Sequence, residues 1–108
     1  MKLVVAIIQD DDAGNVISHL NEEGFQVTRL STKGGFLRAG NTTILTGVEE
    51  EKIQNVLHIL ETNCKSRTQF TTLPAPYGSV HGFMPKPIEV RVGGATVFIL
   101  DVEQFYKF

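Results

Sequence analysis

The chain opens on Leu3-Val4-Val5-Ala6-Ile7-Ile8, an unbroken apolar run rich in β-branched residues. A run of this kind predicts a strand with neighbours on both sides and cover on both faces. The period then changes. Asp10, Asp11 and Asp12 lead into Ala13, Val16, Ile17 and Leu20, the spacing of one helical face, with Gly24 as the stop. Phe25, Val27 and Arg29 alternate with Gln26, Thr28 and Leu30 in a second strand, and Thr42 to Val48 reads as a third, the two forming a hairpin. Glu49, Glu50 and Glu51 start a second helix that carries Ile53, Val56, Leu57 and Leu60 before Thr62-Asn63 ends it. Each of these four apolar residues lies 40 positions after its counterpart in the first helix, which is the pattern of a repeated strand-helix-strand plan. A convergent helix pattern gives the same spacing.

Beyond the second helix, Arg67 to Thr72 alternates as a further strand. All four prolines fall between Pro74 and Pro87, with Gly78 and Gly82 among them, so regular structure cannot run through that stretch. Ile88, Val90 and Val92 then alternate, Gly93-Gly94 reads as a two-residue turn, and Ala95 to Leu100 returns. The order is β-α-β-β-α-β with an extra hairpin, the ferredoxin-like α+β pattern in which two helices cover one face of an antiparallel sheet. Because the first strand is apolar on both faces, self-association is expected to cover the other face.

With 108 residues, 42% hydrophobic and 20% charged, the sequence has the size of one domain spanning 1–108. The formal net charge of -2 supplies no general attraction to nucleic-acid polymers. The apolar runs are too short to insert in a membrane, and the amino terminus lacks a processing site, so a cytoplasmic protein is expected. A single cysteine, Cys64, precludes an intrachain disulfide and reads better as a small buried filler than as a reactive thiol.

No catalytic pattern emerges. The two acidic triplets are accounted for by helix capping and by the helix dipole. His19, His58 and His81 lack the second ligand at i+3 or i+4 that a zinc pair requires, so no metal site is expected. Thr32 to Thr43 is different. There Gly34, Gly35 and Gly40 surround Phe36, Leu37, Arg38 and Asn41. Glycines allow backbone N–H groups to approach an anion, Phe36 offers a stacking face, and Asn41 presents a donor and an acceptor suited to a base edge. A hairpin turn explains the glycines but not two large apolar residues beside them.

Gly34-Gly35-Phe36-Leu37-Arg38-Ala39-Gly40-Asn41-Thr42-Thr43, the opening Ala6-Ile7-Ile8-Gln9-Asp10, and the late Glu89 to Phe98 together resemble the PII-like cyclic di-AMP receptor proteins, in register along the whole chain. The resemblance implies a non-catalytic signal-transduction receptor, a homotrimer that holds cyclic di-AMP between neighbouring subunits and changes the affinity of a downstream protein. It implies that the segments Thr32 to Gly40 and Thr72 to Pro87 become ordered around the ligand. Gly35, Phe36 and Leu37 would meet a phosphate through their amides, and Thr28, Asn41, Gly47 and Phe98 would line an adenine pocket. Two positions depart from the family pattern: Gln26 stands where arginine is common and Lys107 where glutamine is usual. The loss at Gln26 removes a charge-assisted contact, which Lys107 would restore in part if it reaches the same phosphate. Two alternatives stay open, a PII-like protein for another adenine nucleotide and a ligand-independent trimeric scaffold.

Overall fold

A computed structural model describes residues 1–30, 40–72 and 87–108, in the order β1 (Lys2–Gln9), α1 (Asp10–Glu22), β2 (Thr28–Leu30), β3 (Asn41–Val48), α2 (Ile53–Cys64), β4 (Arg67–Thr72), β5 (Pro87–Val92) and β6 (Ala95–Asp101). A single 3-10 turn, Glu50–Lys52, precedes α2. The main sheet has the order β2-β3-β1-β6, with β1 antiparallel to both neighbours, and β4 and β5 form a separate two-stranded sheet. This is the ferredoxin-like arrangement with an added hairpin.

The pleat divides β1 in two. Val4, Ala6 and Ile8 turn inward and are at most 1% exposed, packed with Ile44 and Val48 of β3 under the two helices. Leu3, Val5 and Ile7 alternate with them and face away from the helices. From α1 the core receives Ala13, Val16 and Leu20, and from α2 Val56, Ile59, Leu60 and Cys64. Leu57, expected on the core stripe, is only half-buried, and Ile59 is buried in its place.

Three local expectations change. Phe25 does not begin β2, because it completes the end of α1: its N–H donates to Leu20 O at 2.9 Å, while Gly24 N–H donates to Asn21 O at 3.0 Å. That pair of bonds is a Schellman cap, with Gly24 at φ 87° and Phe25 buried beside Leu20. α2 runs past Thr62-Asn63 to Cys64, because Thr62 and Asn63 turn their side chains back onto the carbonyls of His58 and Ile59. Gly93-Gly94, at φ 83° and 89°, is not a hairpin turn between β5 and β6. β5 pairs with β4 and β6 with β1, so the two glycines carry the chain from one sheet to the other.

The acidic triplets are also more specific than capping. Neither Gln9 before α1 nor Glu49 before the 3-10 turn makes a side-chain cap bond. Asp10 accepts the Thr42 hydroxyl instead, and Asp12, 5% exposed, pairs with Arg67. The three aspartates still occupy the first turn, where the helix dipole favours negative charge.

Candidate functional site

Directly opposed residues in an antiparallel ladder share a face, so the register fixes what the helix-free side of the sheet displays. One row across it is Thr28, Leu45, Val5 and Phe98, and the adjacent row carries Gly47, Leu3 and Leu100. At the opposite end of β3 from Gly47, Asn41 stands beside Gln9. Thr28, Asn41, Gly47 and Phe98 therefore share one face, while the core residues point the other way.

They do not converge within one chain. Asn41 and Gly47 are six residues apart on one strand, on the order of 20 Å, and Thr28 is three strand spacings from Phe98, roughly 14 Å. Gln26, Thr28 and Gly47 do come together, in a cavity of about 400 Å³ completed by Met1, Leu3, Leu45, Thr46, Val102 and Phe105. The Thr46 hydroxyl donates to the Gln26 carbonyl at 2.7 Å and pins the segment entering β2 against β3. Gly47 contributes floor without side chain: a Cβ there would already lie 3.5 Å from Met1 Sδ. Met1 O, accepting from Val102 N–H at 3.3 Å, holds the end of β6 beside the opening.

Among the described residues no charged side chain lines this cavity, whose polar side chains are Gln26, Thr28 and Thr46 among apolar ones. Such a lining suits a flat, neutral heteroaromatic group better than an anion, and the volume lies within the range of small-molecule sites. A second hollow of about 250 Å³, between the end of α2 and Gly94-Ala95, includes none of the residues expected at the site.

Gly35, Phe36 and Leu37, the expected phosphate contacts, lie outside the described residues, as does His81. Lys107 is exposed in the segment after β6. Sequence reasoning did not anticipate Leu3, Leu45 or Phe105 at the cavity. The outward set of β1 and the aromatic tail Phe105-Tyr106-Lys107-Phe108 were the available signals. Tyr106 and Phe108 stack with ring centroids 6.3 Å apart, leaving Phe105 for the cavity.

His19 Nδ1 bonds the Asn15 carbonyl at 2.7 Å one helical turn back, and His58 is exposed. Among the described residues, no group of three His, Cys, Asp or Glu side chains could hold a metal ion, and no helix is long and apolar enough to cross a membrane. Cys64 is 1% exposed, and burial pushes its thiol up to about 11, the state of a filler rather than a nucleophile.

The structure is similar to a crystal structure from Pediococcus pentosaceus, of a protein described as functionally unknown: the sequences are 44% identical, the match covers 99% of this chain and 96% of that one, and the TM-score is 0.76. The sequence also matches, over residues 1–108, the family described as the cyclic-di-AMP receptor. The match spans the sheet that carries the cavity, the glycine-rich segment before β3 and the β4–β5 hairpin, and on that ground the chain belongs to the cyclic-di-AMP receptor family.

Proposed function

We propose that this protein is a single-domain cytoplasmic receptor that binds cyclic di-AMP between adjacent copies of a homotrimer. The observation that carries this reading is the cavity at Gln26, Thr28 and Gly47, lined by uncharged side chains among the described residues, on the helix-free face of a chain belonging to the cyclic-di-AMP receptor family. One adenine occupies that cavity, with the Thr28 hydroxyl on its edge. Asn41 and Phe98, on the same face but far from the cavity in one chain, reach the ligand where a neighbouring copy meets the sheet. The phosphates lie outside the uncharged pocket, against the amides of Gly35, Phe36 and Leu37.

A neighbour on this face also answers a packing demand. Phe98 and Leu100 are 53% and 50% exposed beside Leu3, Val5 and Ile7, and burying apolar area at about 25 cal/mol per Å² favours a second copy there. Binding is expected to order the segments Thr32 to Gly40 and Thr72 to Pro87 and so to alter the affinity of a downstream protein, with no chemical step. In this reading Lys107, exposed in the segment that follows Phe105, meets the outer part of the ligand.

Isothermal titration with cyclic di-AMP, beside AMP and ATP, tests the reading. Saturable heat with cyclic di-AMP supports it, and its absence at tens of micromolar protein overturns it. Gln26, which brings no charge to a second phosphate, favours one competing reading, a receptor for another adenine nucleotide, and heat with AMP or ATP alone would select that. Asn41→Ala separates both from a ligand-independent scaffold, since it abolishes nucleotide binding in the first two and leaves partner binding untouched in the third.

A further inference from the structure

Three residues within one short stretch, Gln9, Asp10 and Asp12, fasten two separate parts of the molecule. On one side, Asp10 N–H donates to Gly40 O at 2.7 Å and the Asp10 carboxylate accepts the Thr42 hydroxyl, so Asp10 grips the residues on both sides of Asn41. On the other side, Gln9 Oε1 accepts the Gly93 N–H at 2.8 Å, and Asp12 takes the Arg67 guanidinium at 2.9 and 3.5 Å. Arg67 begins β4 and Gly93 follows β5, so these are the two feet of the hairpin.

Both hairpin contacts resist gradual deformation. Asp12 is buried, and moving Arg67 away strands a carboxylate where water does not reach it. At Gly93 a Cβ would approach Lys65 O to 2.6 Å and Arg67 Nη1 to 2.8 Å, so only a glycine fits this close approach to the foot of the hairpin. A junction of this kind holds or releases, as a coupling element requires.

We infer that Gln9, Asp10 and Asp12 are positioning residues that couple occupancy at Asn41 to the orientation of the β4–β5 hairpin. A ligand drawing on the Asn41 side chain shifts Gly40 and Thr42, Asp10 follows them, and the helical turn carries the displacement to Asp12 and, through β1, to Gln9. The identity of the ligand rests on the function proposed above, whereas the junction does not.

Amide hydrogen exchange on the full-length protein reads the coupling. Cyclic di-AMP, with binding verified by calorimetry, should change exchange at residues 67–72 and 87–92 about fivefold or more. In the charge-free pair Asp12→Asn with Arg67→Met, the ligand should still bind while the hairpin response falls below about twofold. An undiminished response in that variant, or a wild-type hairpin indifferent to bound ligand, overturns the inference. Should the double variant not fold, Gln9→Ala replaces it with the same criterion. A ligand-free arm separates this inference from the ligand assignment. Asp10→Asn touches only the Gly40 to Thr42 side, yet should alter exchange at residues 67–72, whereas Asn21→Ala at the far end of α1 should not. Unchanged exchange in Asp10→Asn overturns the coupling even where cyclic di-AMP binds. Altered exchange without calorimetric heat upholds the coupling and removes only the ligand assignment.

Discussion

Gln26 combines a fixed backbone with a free side chain. Thr46 holds its carbonyl at 2.7 Å, while the side chain borders the cavity. An arginine at this position therefore extends from an anchored point toward whatever lies over the opening. A hydrogen bond to a charged group contributes about 1.5 to 3 kcal/mol. Gln26→Arg should accordingly tighten cyclic di-AMP roughly ten- to a hundredfold in calorimetric titration, with little change in melting temperature. Cys64 supplies a pH-dependent prediction. Its folded pKa, near 11, exceeds the ordinary 9.0, so the native state holds the thiol proton more tightly than the unfolded chain. The stability from the neutral thiol is fully present below pH 9 and is lost as pH rises through about 11. Urea midpoints should fall across that window in the wild type and stay flatter in Cys64→Ala, and alkylation at pH 8 should follow unfolding rather than precede it.

At the scale of the elements, Gly93 is the most constrained point in the described backbone. Its φ of 83° and the closeness of Lys65 O and Arg67 Nη1 to where a Cβ would stand oppose any side chain. Gly93→Ala should cost about 1 to 3 kcal/mol in denaturant titration, whereas Gly94→Ala, equally left-handed but in open space, should cost only about 1. This contrast also marks the limit of sequence reading. Val92-Gly93-Gly94-Ala95 between two alternating runs has the local signature of a hairpin, and nothing within those residues reveals that β5 and β6 belong to different sheets. The decision is made elsewhere, where Asp12 captures Arg67 across 55 positions of sequence. Phe25 gives the converse lesson: its alternation with Val27 and Arg29 reads as strand, but the cap on α1 claims it first. The strands β1, β3 and β4 and both helices were legible because their periods run uncontested. Thr28 and Gly47 were named together by the family resemblance alone, and the β2–β3 register sets them on one face, whereas Phe105 reaches the cavity from a segment with no periodic signal.

At the scale of the whole molecule, the main sheet has one face closed by helices and one left open among the described residues. Thr42 and Thr46, the two buried hydroxyls of β3, are satisfied internally by Asp10 and Gln26, so the closed face makes no demand on a partner. The open face carries Phe98 and Leu100. Sedimentation velocity should show the wild type as a species near three times the 11.9 kDa chain, and Phe98→Asp should shift it toward a single copy. A wild type that sediments as one chain at tens of micromolar would remove the intersubunit site.

The Cys64 carbonyl accepts the Gly94 N–H, so the chain leaves the core at the end of α2 and re-enters it beside the point of departure. Everything from Ser66 to Val92 is thus a detour whose two ends already touch. A gene encoding the core could lose or exchange that detour without disturbing the order of the main sheet, provided Asp12 lost its charge together with Arg67. Such a layout lets natural variation rewrite the β4–β5 hairpin while the main sheet keeps its sequence.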